Sequence, residues 1–457
     1  MDEIYQDEAT KQDADREIVV LVSLDQGTTP AENEENERSL AELAELAEAA
    51  GAQVAGQVRQ RKQTPDPAWL IGKGKVGELK EACLALQADT VIFDRELTGS
   101  QMRNLEKEIG CKVIDRTFLI LDIFARRARS HEGKLQVELA QLQYRLSRLT
   151  GMGLVLSRLG GGIGTRGPGE TQLESDRRHI NRRINYLKRA LTAVEQQRIR
   201  NRQKRKERDV LSFAVVGYTN AGKSTLINQL CGSDLLTADQ VFATLDPSVR
   251  RLVLQDGSIV LLIDTVGLIR HLPHHLIDAF QATLEEVTQA DAILEVIDAA
   301  APDVASQMAV VEQLLEQLGA ASQPRFFVFN KMDRLEGHVT TADPDQIDLD
   351  PSGLAPDLTR EIRKNQGRSS FLVSALTGQG LNELKLALDD FAAASMLAVE
   401  LSLPYSEAGL LDYVRRFGRI DEILYEADRI KASVHIHYSH FSPLRPFVSL
   451  AQKSRER

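Results

Sequence analysis

Residues 217–224 read GYTNAGKS, and this stretch decides the fold. It fits G-x-x-x-x-G-K-[ST], follows the apolar run FAVV at 213–216 and opens the amphipathic run STLINQL. A glycine-rich loop between strand and helix lets backbone N–H groups approach phosphate oxygens, and the helix N-terminus adds partial positive charge. Gly217, Tyr218, Thr219, Asn220, Ala221, Gly222, Lys223, Ser224 and Thr225 are therefore the expected phosphate-binding residues. Lys223 is expected to neutralise the β- and γ-phosphates, and the Ser224 hydroxyl to reach Mg²⁺.

Two further motifs lie downstream in register. Asp264, Thr265, Val266 and Gly267 (DTVG) end the apolar run SIVLLI. An Asp at a strand's carboxyl end can hold Mg²⁺ through water, and the Gly267 N–H can meet a γ-phosphate. Asn330, Lys331 and Asp333 (NKMD) follow RFFVF, and Ser374, Ala375 and Leu376 (SAL) follow SFLV. The Asp333 carboxylate can accept from guanine N1–H and the exocyclic amine, whereas adenine offers a lone pair there, so the base is guanine. Asn330 and Lys331 should brace the loop, and 374–376 should contact guanine O6 through the backbone.

Between these motifs, 241–247 (VFATLDP) carries Thr244, a third expected Mg²⁺ ligand that would order only with γ-phosphate present. Hydrolysis often relies on a Gln just after D-x-x-G to orient water. Here Leu268 and Ile269 stand instead, which predicts slow intrinsic turnover. Asn220 reads either as a K⁺ ligand beside the phosphates or as a plain turn residue. The expected catalytic set is Lys223, Thr244, Gly267 and Asn220.

Working outward, strands and helices alternate from 211 to about 394, which predicts a P-loop GTPase domain with a doubly wound, mostly parallel sheet over 210–396. The polar, acidic stretch 336–368 reads as an exposed insertion. Upstream, EIVVLVSL at 17–24, AQVAGQV, DTVIFD and KVIDR alternate with helical patterns, predicting an N-terminal α/β domain over 17–130 after an acidic leader, 1–16. Leu135, Leu139, Leu142, Leu146 and Leu149 then step by four and three. The stepping resumes from Leu173 after the glycine-rich 160–169 (GGGIGTRGPG), predicting an antiparallel helical hairpin over 131–209. Residues 397–457 read as a small α+β domain with a helix near 407–416 and strands in RIDEILYEA and SVHIHYS. The overall class is α/β.

The net charge of −10 hides an asymmetry. Residues 177–208 hold thirteen Lys/Arg against two Glu. Clustered cations release counterions on binding phosphates, so this run predicts an RNA contact, with a solvated helix face as the plain alternative. Arg198, Arg200, Arg202, Lys204 and Arg205, with Arg158 and Arg166 at the glycine-rich tip, are the expected RNA-binding residues. Three cysteines, far apart and without metal-ligand spacing, read as thiols of a reducing cytoplasm. No apolar stretch is long enough to span a bilayer, and the acidic N-terminus does not read as a secretion signal.

Together these residues resemble the HflX family of translation-factor-class GTPases. The resemblance rests on GYTNAGKS, FATLD, DTVG with two apolar residues after it, and NKMD. More specific are GGGIGTRGPGETQLESDRR at 160–178 and IGKGKVGEL at 71–79. It covers about 17–450. It implies GTP/GDP and Mg²⁺ as ligands, binding of a cytoplasmic monomer to the 50S ribosomal subunit and ribosomal RNA, and splitting of stalled ribosomes. It also implies ATP binding by the N-terminal region. There Gly72, Lys73, Gly74 and Lys75 could cradle phosphate or simply start a helix. An RNA-remodelling ATPase, with GTP as regulator, is the alternative.

Overall fold

A computed structural model describes residues 16–27, 29–149, 168–206, 210–232, 248–255, 257–270, 285–335, 339–343, 346–349, 356–365, 369–394, 396–437 and 440–449. The chain divides into two compact units. The first comprises Met1–Val194, Ala238–Asp246 and Val266–Leu284; the second comprises Glu195–Thr237, Pro247–Thr265 and Glu285–Arg457.

In the first unit the order is β1 (Ile18–Asp25), α1 (Pro30–Ala49), β2 (Gln53–Arg61), α2 (Lys73–Leu86), β3 (Thr90–Phe93), α3 (Gly99–Ile109), β4 (Lys112–Asp115), α4 (Arg116–Arg127), α5 (His131–Leu149) and α6 (Pro168–Lys206), which enters the second unit after Val194. The strands form a parallel sheet in the order β2-β1-β3-β4. Capping boxes start α1 (Thr29 with Glu32) and α3 (Thr98 with Gln101), each satisfying two backbone donors that a helix start leaves without partners. Asp115, fully buried, caps α4 through Phe118 N–H at 2.9 Å and also accepts from Tyr144 Oη at 2.8 Å and Arg148 Nη2 at 2.5 Å. That network fixes α5 at its C-terminal end. The α5/α6 hairpin buries Leu135 and Leu139 against Ile184 and Leu187, the expected four–three stepping.

The second unit continues with β5 (Ser212–Gly217), α7 (Lys223–Cys231), β6 (Ser248–Val253), β7 (Ile259–Asp264), β8 (Ala292–Asp298), α8 (Val304–Gln317) and β9 (Arg325–Asn330). A hairpin of β10 (Val339–Asp343) and β11 (Gln346–Leu349), then α9 (Pro356–Asn365), β12 (Ser370–Leu372) and α10 (Leu381–Ala394), follow. The six-stranded sheet runs β12-β9-β8-β5-β7-β6, parallel except for β6. Its inner strands β5, β7, β8 and β9 are near-continuous apolar runs, with helices covering both faces, whereas the edge strand β6 (SVRRLV) alternates. The stretch 336–368 is not wholly an exposed insertion. Leu358 and Ile362 of α9, one turn apart, are fully buried in the core with Phe329 and Val304. Last come β13 (Met396–Pro404), α11 (Gly409–Phe417), β14 (Gly418–Tyr425) and β15 (Arg429–His437), an antiparallel β13-β15-β14 sheet closed by one helix. No described helix is long and apolar enough to cross a membrane.

Candidate functional site

The phosphate loop sits between β5 and α7, at the carboxyl end of the central strand, where open α/β sheets place ligands. Its glycines are there for lack of space. A Cβ at Gly217 would stand 2.1 Å from the Val296 carbonyl oxygen, and one at Gly222 (φ +92°) 2.3 Å from Asn330 Nδ2. Asn220 adopts φ +60°, a conformation Asn tolerates better than most residues. Lys223 is buried, and its Nζ donates to the Gly217 and Tyr218 carbonyls at 3.0 and 2.8 Å. The ammonium thus folds back over the loop whose backbone would face phosphate.

Burial pushes the Lys223 ammonium down to about 8, against the opposing pull of Asp264. Bound phosphates would restore the charge, so the bound-state pKa lies above the free one and binding takes up a proton above pH ~8. Affinity for GDP should therefore be flat below pH about 8 and weaken toward about tenfold per pH unit above it, until the bound-state pKa is passed. Calorimetric titrations at pH 7 and 9 check this, and equal affinities would contradict it.

The Ser224 hydroxyl donates to Asp264 Oδ2 at 2.9 Å, which brings a hydroxyl and a carboxylate together as hard oxygen donors of the kind Mg²⁺ prefers. Thr265 turns inward, its Oγ1 donating to the Val215 carbonyl at 2.7 Å, which locks β7 beside β5. Thr244 lies outside the described residues. Val266 and Gly267 belong to the stretch that clusters with the first unit.

The NKMD and SAL segments meet around Asn330, which is 2% exposed. Its Nδ2 donates to the Ala221 carbonyl and its Oδ1 accepts from Ala375 N–H, both at 2.9 Å. One side chain thereby ties the phosphate loop to 374–376, the bracing expected of it. Lys331, at φ +66°, pairs with Asp298 at 2.7 Å. Ser374 Oγ donates to Asp333 Oδ1 at 2.5 Å and accepts from Thr377 N–H at 3.1 Å, which aims the carboxylate. Leu376 beside them is 76% exposed.

Several known proteins are similar to this chain. Residues 37–125 match the family described as GTP-binding GTPase N-terminal, 127–205 the GTP-binding GTPase Middle Region, and 212–331 the 50S ribosome-binding GTPase. GTPase HflX of Caldanaerobacter subterraneus subsp. tengcongensis is 46% identical over 397 residues, 87% of each chain. The chain belongs to the HflX family of GTPases. GTPase HflX of Escherichia coli (strain K12) is 44% identical over 367 residues, 80% of this chain and 82% of that one. A GTP-binding protein from the archaeon Sulfolobus solfataricus, solved with GDP, aligns at 24% identity and TM-score 0.44 over 82% of this chain and 98% of its own. As an HflX GTPase, the chain binds guanine nucleotide, and P-loop GTPases generally take it with Mg²⁺.

The remaining expected residues are placed less directly. Arg158 and Arg166 lie outside the described residues, as do the side chains of Arg202, Lys204 and Arg205 on α6. Arg198 is mostly covered and approaches Glu285 at 3.7 Å, while Arg200 is exposed and bonds the Gln196 carbonyl one turn back at 3.3 Å. At 72–75, Gly72 caps α2, its N–H donates to Gln60 Oε1 at 2.7 Å, and Lys75 pairs with Glu78 at 2.6 Å. Those contacts are what a helix start needs.

No motif pointed to Arg116. Within the first unit its buried guanidinium bonds Asp94 Oδ1 (2.9 Å), Ser39 Oγ (3.1 Å), Glu42 Oε2 (2.7 Å) and the Arg270 carbonyl (3.4 Å). The stretch after D-x-x-G is thus held by the first residue of helix α4, and Leu268 and Ile269 are buried at 5% and 2% exposure. Apolar residues stand where Gln often does because this stretch packs.

Proposed function

We propose that this HflX GTPase binds the large ribosomal subunit in its GTP form, dissociates or rescues stalled ribosomes, and hydrolyses GTP to GDP and phosphate. The observation that carries the reading is the presence, in one chain, of a base-reading site tied together through Asn330 and a hairpin helix with thirteen Lys/Arg over 177–208. The match of 212–331 to a family described as 50S ribosome-binding supports it.

In this reading Lys223 leaves the Gly217 and Tyr218 carbonyls for the β- and γ-phosphates, and backbone N–H groups of Tyr218–Thr225 line the rest. Ser224 and Thr244, with Asp264 through water, would hold Mg²⁺, which when bound spreads the charge developing on the phosphoryl oxygens. The Gly267 N–H meets the γ-phosphate, and Asp333, aimed by Ser374, reads guanine. With no Gln after D-x-x-G, hydrolysis draws on K⁺ at Asn220, whose left-handed conformation turns the loop there, and on the ribosome. Arg158, Arg166, Arg198, Arg200, Arg202, Lys204 and Arg205 contact RNA phosphates.

Co-sedimentation with large subunits tests the reading. Binding should be strong with a non-hydrolysable GTP analogue and weak with GDP, and Na⁺ in place of K⁺ should slow hydrolysis. Equal association empty, with GDP or with the analogue would overturn the gating, and equal rates in both salts would remove the K⁺ role.

A further inference from the structure

The α5/α6 hairpin carries an ordered stack that the nucleotide site does not use. Arg183 of α6 forms a two-pronged pair with Glu138 of α5, Nε to Oε1 at 2.7 Å and Nη2 to Oε2 at 2.8 Å. The same guanidinium lies over the Tyr186 ring, 5.0 Å from its centroid. The carboxylate fixes the guanidinium plane, and the guanidinium backs one side of the ring. Tyr186 is nevertheless 58% exposed, on the side of α6 away from Ile184 and Leu187, which pack on α5. A large ring held in place and left in water is unusual for a residue whose purpose is packing.

Its surroundings identify the partner. Arg182 and Arg189, four residues before Tyr186 and three after, share its face of the helix and are exposed. Neither makes an ion pair among the described residues. Residues 177–189 include six Lys/Arg and no Asp/Glu. A π-surface between unneutralised cations suits a ligand that presents phosphates and a flat ring together.

We propose that Tyr186, backed by Arg183 and flanked by Arg182 and Arg189, is a stacking platform for an unpaired RNA base. Stacked bases inside an A-form duplex do not expose their faces, whereas splayed loop or bulge bases do, so the platform selects unpaired nucleotides. Arg182 and Arg189 hold the flanking phosphates without reading sequence. The inference rests on the ribosome reading and extends it by naming the RNA feature recognised.

The test uses the full chain with a non-hydrolysable GTP analogue and an RNA hairpin carrying 2-aminopurine in its loop, beside a fully paired duplex of equal length. Wild type should bind the hairpin more tightly than the duplex and quench the probe. Tyr186→Leu should weaken hairpin binding about tenfold, within the range typical of one lost stacked base, and abolish the quench. Its duplex affinity should not change, and Tyr186→Phe should match wild type. An unchanged quench and affinity in Tyr186→Leu would overturn the platform. Because wild-type co-sedimentation with large subunits is measured separately, a platform that fails while wild type still co-sediments leaves the ribosome reading standing. Wild type that ignores nucleotide state there ends that reading instead.

Discussion

Lys223→Ala is expected to lower kcat for GTP by about 10²–10³-fold, the usual cost of removing one group that stabilises charge developing in the transition state. In the structure the ammonium is buried and, among the described residues, bonds only the Gly217 and Tyr218 carbonyls, and burial has pulled its pKa down to about 8. That is a poor resting place for a cation. Incoming phosphates offer a better one, so part of the binding energy comes from relieving the desolvated charge. Arginine should not rescue the loss, because its wider fork cannot occupy the enclosed position of a single ammonium. The variant should still fold, since what it removes from the free protein is an unfavourably buried charge. The control is ligand-dependent melting. At about 100 times its Kd, GTP stabilises wild type by about 2.7 kcal/mol, and the variant should show almost none of this at the same concentration. Turnover within threefold of wild type would refute the assignment of Lys223.

The residues that bear on this prediction were legible because their chemistry is local. Phosphate binding needs a tight loop between a strand and a helix, and eight consecutive residues encode it. Strands such as AILEVID and RFFVFN announce themselves as apolar runs ended by polar residues. Where these local signals fail, the reading fails. In α4, RTFLILDIFARR, four apolar residues run together at 118–121, and that unbroken run masks the helical spacing. Helix α9 enters the core through two residues, Leu358 and Ile362, in an otherwise polar, charged stretch, too few to outweigh composition. Strand β13 does alternate, burying Val399, Leu401 and Leu403, yet it directly follows the alanine-rich end of α10, and the strands expected in 397–457 do not include it. Arg116 is beyond such reading altogether. Its partners lie 22, 74, 77 and 154 residues away, and an arginine at a strand end looks like any surface arginine until the fold closes around it. The same applies to Tyr186, whose backing depends on a glutamate 48 residues earlier in another helix.

Asp333→Asn is expected to cost guanine binding about 10²–10⁴-fold, since two hydrogen bonds to a charged acceptor contribute about 1.5–3 kcal/mol each. The geometry makes the substitution a clean probe. Ser374 Oγ donates to Asp333 Oδ1 at 2.5 Å, so one carboxylate oxygen is already oriented, and Asn330 holds 374–376 and the phosphate loop together independently of Asp333. Asparagine keeps the shape and one acceptor, but replaces the second acceptor with an amide donor. Guanine then places its exocyclic amine against another donor, while xanthine, with a carbonyl at that position, meets the new amide correctly. Preference should therefore invert rather than merely weaken, with XTP hydrolysed faster than GTP by the variant. Inversion separates base reading from general damage. A site that had only loosened would lose both nucleotides, because its buried polar groups would face water or nothing. Competition between mant-GDP and unlabelled XDP or GDP reads the outcome directly. If the variant still prefers GDP over XDP, Asp333 does not select the base, and the backbone at 374–376 must do so alone.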